Sequence, residues 1–518
     1  MTFSALRVGC YALLDQRPRF SDAETSDLNA LFENHIVMRG YSGEGLGQLL
    51  DLAQFKPPLW YCGLAALFAP FETLRYEPLL ATNIVPLGIA LWVAWDLGAR
   101  SRGPRAALLA VLIVAILPGV AGRITLLGVE PWHMALLGLY LRGLLVLREP
   151  HATRRQAVAL GAIVAAGMLM KWNFVAPILG PALLEGAASL LAGSDGKAWR
   201  NRLLLAGAVS AALFAAWFVP LADTAFIFAT AATEGGKGSP GWMPPGLALG
   251  FFWLQGIGAT GVGLVVLATL RVPPHPPTDE GSRPRTRPSI EMLLITSILS
   301  LLVVHWLIPH KDLRYLLPVF WATGVLVALR LDLAWVQTRW DRALIRAGIL
   351  GVVLTTFVVP RVTASGTWGS DFEWFSKKIH PSLRLKIDRS DHGIGRLVDL
   401  DHPSGAPPLL VASSLTGSRA GEVLTMLNWE FYSRNEGPVL SLSSFVPITS
   451  PEARVALNSA THFISHRELN SAELGLLKQK GFEILREQTI DRVYSEIPPH
   501  WSLWKAKKTT QEHQRMGR

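Results

Sequence analysis

Apolar residues in this chain gather into blocks of roughly 15–25 residues, the length a helix needs to cross the hydrocarbon core of a bilayer. Such an arrangement excludes a set of water-soluble domains, whose cores require apolar and polar residues to alternate along each element. The blocks cover Ala5–Leu14, Pro57–Phe71, Pro78–Leu97, Arg105–Gly122, Pro131–Leu147, Gln156–Met170, Phe174–Ala192, Leu203–Leu221, Leu247–Leu270, Ile290–Ile308, Tyr315–Val336 and Ala343–Pro360. Charged residues make up 17% of the chain, against about 25% in soluble domains. The formal net charge of +10 would point to nucleic acid in a soluble protein. Here the basic residues lie between apolar blocks, as in cytoplasmic loops of membrane proteins, so no nucleic-acid partner is expected. Cys10 and Cys62 are too few for a disulfide framework or a zinc knuckle.

Lys and Arg set the orientation. Five connections are rich in them: Arg100, Arg102 and Arg105; Arg148, Arg154 and Arg155; Lys197, Arg200 and Arg202; Arg271, Arg283, Arg285 and Arg287; Arg339 and Arg342. The alternate connections hold only Arg123, Lys171, Lys237, Lys311 and Arg314. Placing the rich connections in the cytoplasm requires one block not to cross, and Pro57–Phe71 is the shorter candidate. Ala5–Leu14 reads as a short first helix, because Gln16-Arg17-Pro18-Arg19 follows it where a signal peptide would have small residues. The expected fold is a multi-spanning α-helical membrane protein of about eleven spans, with a cytoplasmic N-terminus and an external C-terminus.

Beyond Pro360 the charge density becomes ordinary. Residues 361–504 read as a small external α/β domain. Its strands are expected at Leu409–Ala412, Val439–Leu442, His462–Ser465 and Phe482–Leu485, with helices at Ala420–Tyr432 and Ser471–Lys480. Residues 271–289 form a Pro- and Arg-rich cytoplasmic loop, and residues 505–518 a polar, basic tail without fixed structure.

The polar residues facing outward are the functional candidates. The first external loop, residues 16–56, is long, and loops of this length are more often functional than plain connectors. Asp22 and Glu24 open it, immediately beyond the first helix. They are either part of a solvated acidic loop or a general base for an acceptor hydroxyl. Lys56, at the aromatic end Gln54-Phe55-Lys56-Pro57-Pro58-Leu59-Trp60-Tyr61, is a snorkelling anchor or a phosphate ligand. Glu130 opens an apolar block, where it complements the helix dipole or forms a second acidic site. Lys171 sits at the tip of a hairpin, so it must be exposed at the outer surface or paired inside a cavity. His310, Lys311, Asp312 and Arg314 form the densest cluster. Charges so close to hydrocarbon are costly, and the arrangement suits a phosphate at headgroup depth.

Together these motifs resemble the GT-C clan of membrane glycosyltransferases. Phe20-Ser21-Asp22-Ala23-Glu24 followed by Lys56-Pro57-Pro58-Leu59 looks like the first external loop of the protein O-mannosyltransferase and aminoarabinose-transferase branch. Gly167-Met168-Leu169-Met170-Lys171-Trp172 is similar to that branch's G-L-x-x-K-[YW] segment. His310-Lys311-Asp312-Leu313-Arg314-Tyr315-Leu316-Leu317-Pro318 resembles the HKE-x-RFLLP motif of dolichol-phosphate-mannose-dependent mannosyltransferases. The resemblance covers residues 1–360. It implies a polyprenyl-phosphate-sugar donor, a glycan, lipid or protein acceptor, and a bacterial inner-membrane location with the active site outside. It also implies an inverting displacement with Asp22 or its neighbour Glu24 as base. The donor phosphate would be held by Lys56, Lys171, His310, Lys311 and Arg314, with Glu130 and Asp312 near the acceptor. No cofactor or metal is required, although the second acidic site could take a divalent cation.

Two other classes compete. A flippase for lipid-linked sugars would show internal repeats and charged, broken midplane helices, and neither is evident. A polysaccharide polymerase or ligase would carry its long external loop late in the membrane region, whereas here it comes first.

Overall fold

The computed structural model describes residues 30, 31, 34, 35, 37–39, 57–71, 74, 76–125, 127–194, 196–222, 253, 256–270, 288–307, 313–335, 338–354, 409–413, 439–444, 457, 458, 460–465, 469–489 and 500–506. They fall into two units, one holding residues 57–60 and 80–354, the other residues 30–39, 61–79 and the C-terminal strands. The block at Ala5–Leu14, residues 271–287 of the basic loop and the expected helix Ala420–Tyr432 lie outside the described residues.

In the first unit, proline and glycine decide where helices stop. After α1 (Leu59–Phe68) and α2 (Tyr76–Ala81), most of whose residues belong to the second unit, α3 runs over Ile84–Arg102 and α4 over Pro104–Ile116. Only Gly103 separates α3 from α4. Its φ is +90°, open to glycine at little cost, and Pro104 then starts α4 at a position where its missing N–H is harmless. The turn brings the two backbones together: a Cβ on Gly98 would lie 2.6 Å from the Ala107 Cα. Arg100, Arg102 and Arg105 therefore do not form a loop, as the charge pattern predicted. They sit in the end turns of helices: Arg100 pairs with Asp96 one turn back on α3 at 2.8 Å, while Arg102 pairs across the bundle with Glu291 at 2.7 Å, and Arg105 with Asp332.

The expected span Arg105–Gly122 is also interrupted. Leu117 takes φ −57°, ψ 130°, because the ring of Pro118 disfavours helical backbone in the residue before it. A short α5 (Pro118–Arg123) follows. The remaining helices are α6 (Glu130–Leu147), α7 (Arg154–Met170), α8 (Val175–Leu191), α9 (Lys197–Phe218), α10 (Ala259–Leu270), α11 (Ile290–Leu307), α12 (Leu317–Trp335) and α13 (Arg339–Val353). Among the described residues five helices are long and apolar enough to cross a membrane: Glu77–Arg102, Trp172–Leu191, Lys197–Leu221, Ile290–Leu307 and Leu317–Trp335. The chain is an integral membrane protein. By contrast, the ten residues of α1 reach about 15 Å, half the hydrocarbon thickness.

Helix α12 is the core element, buried along most of its length. Trp321 donates its indole N–H to the Ala90 carbonyl of α3 at 3.0 Å. Phe320 fills a slot that two glycines leave open; a Cβ on Gly119 or Gly256 would come within 2.3 or 2.0 Å of its ring. Small residues let helix backbones approach where no hydrophobic force draws them together. Gly161 of α7 lies against the Ala206 carbonyl of α9, and Gly180 of α8 against the Thr296 carbonyl of α11. Arg148, at the end of α6, pairs with buried Glu185 of α8 and donates to the Pro288 carbonyl at 2.6 Å. Arg202 donates to the carbonyls of Leu147, Glu149 and Pro150, satisfying groups that the end of α6 leaves without helical partners.

In the second unit the described residues between 30 and 39 pack on α1. Leu31 and His35 are fully buried. Asn34 accepts from the Cys62 thiol at 3.2 Å, and His35 meets the Phe68 carbonyl at 3.0 Å. Arg39 donates to the Ala69 carbonyl at 3.1 Å.

The C-terminal sheet contains β1 (Leu409–Ser413), β2 (Val439–Ser444), β3 (His462–Ser465), β4 (Phe482–Thr489) and β5 (His500–Ala506), in the order β2-β1-β3-β5-β4. Strand β1 is parallel to β2 and β3, while β5 runs antiparallel to β3 and β4. Helix α14 (Ser471–Gln479) starts with an Asn470–Glu473 capping box, and Leu476, Leu477, Phe463, Phe482 and Trp504 form the core beneath it. Strand β5 was not expected and overturns the start of the tail: Lys505 and Ala506 belong to the sheet. Lying between β3 and β4, β5 is paired on both edges, and Lys505 stands opposite Glu483, a favourable cross-strand pair.

Candidate active site

Glu130 is the first residue of α6, followed by Pro131. Its carboxylate is 1% exposed, a costly place for a charge unless it is paired and hydrogen-bonded. Two cations meet it. Arg123 Nη2, at the end of α5, donates to Oε2 at 3.1 Å, and Lys171 Nζ donates to Oε1 at 2.9 Å. The turn joining α5 to α6 is fixed from both sides. Asn83 donates to the Ile124 carbonyl at 3.1 Å, and Thr125 Oγ1 donates to the Gly122 carbonyl at 2.7 Å. Arg123 and Glu130, seven residues apart, are thereby brought face to face.

Lys171 is placed by the way α7 ends. Its backbone is extended, φ −167° and ψ 128°, while its N–H still reaches the Gly167 carbonyl at 3.0 Å. A single 3-10 turn, Trp172–Phe174, follows and folds Phe174 back on to α7. Phe174 is fully buried and occupies the space above Gly167; a Cβ there would lie 2.1 Å from its ring. His133, one turn into α6, also packs against Phe174, with the ring centroids 5.2 Å apart. The glycine of the Gly167–Trp172 motif thus permits the aromatic packing that turns Lys171 toward Glu130.

A third element completes the cluster. Tyr315 lies in the 3-10 turn Leu313–Leu316 ahead of α12. Its ring stacks on His305 at 5.3 Å, and Lys171 Nζ lies 4.5 Å from its centroid, within cation–π range. The motif containing Arg314 therefore meets the Lys171 motif through the very next residue. Of Arg314 itself only the backbone is described. Asp22, Glu24, Lys56, His310, Lys311 and Asp312 lie outside the described residues.

Of the residues expected from sequence, the fold joins Glu130 and Lys171 directly. Lys171 resolves into the paired alternative. Arg123, counted before only as a topological charge, is the addition. Its signal was an isolated arginine seven residues ahead of an acid, in a connection where basic residues are scarce. Chemically, a buried carboxylate that orients an arginine and a lysine holds two donors in place before any anion arrives. Fixed donors of this kind need little reorganisation when charge develops nearby.

No family model matches the sequence, and no curated protein matches it. The structure is similar to the crystal structure of ArnT from Cupriavidus metallidurans in the apo state, with a TM-score of 0.59 and 13% identity over 97% of this chain and 96% of that one. It is similar also to ArnT bound to undecaprenyl phosphate, with a TM-score of 0.55, 13% identity and the same coverage. At this identity the likeness speaks for the fold. The chain shares its fold with ArnT over nearly the full length of that protein.

Proposed function

We propose that this protein is a membrane glycosyltransferase that takes a sugar from a polyprenyl-phosphate carrier and attaches it to an acceptor hydroxyl at the outer face of the membrane. The observation that carries this reading is the Arg123–Glu130–Lys171 cluster, touched by Tyr315 from the Arg314 motif, within a fold shared with a protein that binds undecaprenyl phosphate. Lys171 and Arg314, with Lys56, His310 and Lys311, hold the donor phosphate. Glu130 orients Lys171, and Asp312 lies on the acceptor side.

In the reaction, the acceptor oxygen forms a bond to the anomeric carbon while the bond from that carbon to the phosphate oxygen breaks. The acceptor proton passes to Asp22 or Glu24, and polyprenyl phosphate leaves with the electron pair. Attack opposite the leaving group inverts the anomeric configuration. Cationic side chains take up the developing phosphate charge, so the step draws on no resident cofactor.

The test uses the full-length protein in detergent with undecaprenyl phosphate as probe. Binding should raise the melting temperature, and Lys171→Met and Arg314→Ala should each weaken it by about tenfold or more. Arg314→Lys, which keeps the charge but loses the planar fork, should fall between. Equal affinity in all variants would remove the phosphate site from this cluster. Absence of binding by the unaltered protein would remove the donor class.

A further inference from the structure

A cavity lies at the other end of α12 from Tyr315. Tyr315 lies two residues ahead of this helix and Trp335 is its last; the helix is nineteen residues long, about 28 Å. At the Trp335 end this cavity of about 430 Å³ opens between α4, α12 and α13, within the size range of ligand pockets. Its walls are aliphatic: Leu108 and Leu112 on α4, Leu350 and Val353 on α13. Leu108 and Leu350 remain 60% and 57% exposed. Among the described residues, the charged side chains lining it are Arg105 and Arg346.

Both guanidiniums are held in place. Arg105, in the first turn of α4, is paired with Asp332 and also donates to its backbone carbonyl at 3.5 Å. Arg346 lies 5.3 Å from the ring centroid of Trp335. Helix α13 is built for a membrane surface. Its start is capped by Thr338, Arg339, Arg342 and Arg346 are exposed, and Trp340 is 78% exposed. Basic residues and an exposed tryptophan on one amphipathic helix mark headgroup depth.

We propose that this groove binds one anionic phospholipid from the leaflet facing the arginine-rich connections. Its phosphodiester sits between Arg105 and Arg346, and one acyl chain lies along Leu108, Leu112 and Leu350. The Arg346 guanidinium, with the N–H groups that Arg105 does not spend on Asp332, suits a phosphodiester, and the open aliphatic wall suits a chain that reaches the groove sideways from the bilayer. A free anion would gain nothing from that wall. The site is distinct from the candidate active site and does not depend on its assignment.

Native mass spectrometry of the full-length protein, titrated with phosphatidylglycerol or phosphatidylcholine, tests this. One phosphatidylglycerol should be retained per chain in preference to phosphatidylcholine. Arg346→Gln should weaken it about tenfold, and Leu112→Trp, which fills the groove, should do the same. Arg342→Gln, on the exposed side of α13, should leave binding unchanged. Arg346 is exposed, so its substitution tests the site even if Leu112→Trp fails to fold. Equal retention of both lipids would overturn the proposal, as would displacement by millimolar inorganic phosphate, unchanged binding in Arg346→Gln, or equal loss in Arg342→Gln.

Discussion

Lys171 Nζ lies 2.9 Å from Glu130 Oε1, across 41 residues of sequence, and both end up where α6 begins and α7 ends. The pair is part of the packing as well as the chemistry. Glu130 shares its two oxygens between Lys171 and the buried Arg123, so each member of the trio stabilises the others.

Removing the carboxylate leaves two cations without their anion. Glu130→Ala should therefore destabilise the protein by about 3–5 kcal/mol, the usual result of breaking a buried ion pair from one side. Unfolding in detergent measures it. In a double-mutant cycle of Glu130→Gln with Lys171→Met the coupling should exceed about 1 kcal/mol; additive effects would mean that the two side chains do not support one another.

Gly167 should tolerate no side chain. Gly167→Ala puts a carbon 2.1 Å from the Phe174 ring, which forces the ring, and Lys171 with it, out of place. Overpacking of this kind costs about 1–3 kcal/mol. Adding Phe174→Leu makes room, so the double variant should recover stability that the single variant loses. No recovery would show that the ring is not what excludes a methyl group there.

For the acidic residues of the first loop, transfer assays should separate the roles. Loss of a positioned proton acceptor lowers turnover by roughly 10²–10⁴-fold, so Asp22→Asn should have that effect while undecaprenyl phosphate still binds. Glu24→Gln should leave most turnover. The reverse result would exchange the two roles, and full activity of both variants would remove the carboxylate base from the mechanism.

His35 makes stability pH-dependent. Burial holds its imidazole below the ordinary value, against a hydrogen bond with the Phe68 carbonyl that acts the other way, and the Arg39 charge adds to the lowering. The folded state thus takes up the His35 proton less readily than the unfolded chain, whose histidine titrates near 6.5. The contribution is fully present above about pH 6.5 and is lost as the pH falls below it. Melting temperatures between about pH 7.5 and 5 should fall less steeply in His35→Gln than in the unaltered protein; parallel curves would contradict this.

Much of the helical unit was readable in the order of residues, because a bilayer demands long apolar stretches and charges make poor neighbours for hydrocarbon. The Lys171 and Arg314 motifs were visible for the same reason: cations there stand out. Arg123 did not, since one arginine in a short connection looks the same whether it faces water or a buried carboxylate. Strand β5 escaped notice because its pairing partners, β3 and β4, lie earlier in the chain, and a basic residue such as Lys505 belongs in a strand only once Glu483 stands opposite.

Local chemistry by itself determined where helices could start and stop. Pro118 breaks the expected fourth block, and Gly103 with Pro104 turns the chain between α3 and α4, through backbone geometry that needs no distant partner. Which charges meet was left to tertiary structure. Arg105 finds Asp332 across 227 residues, Arg102 finds Glu291 across 189, and Lys171 finds Glu130 across 41. A charge near hydrocarbon has to be paired, but the neighbour that pairs it is chosen by how the helices pack.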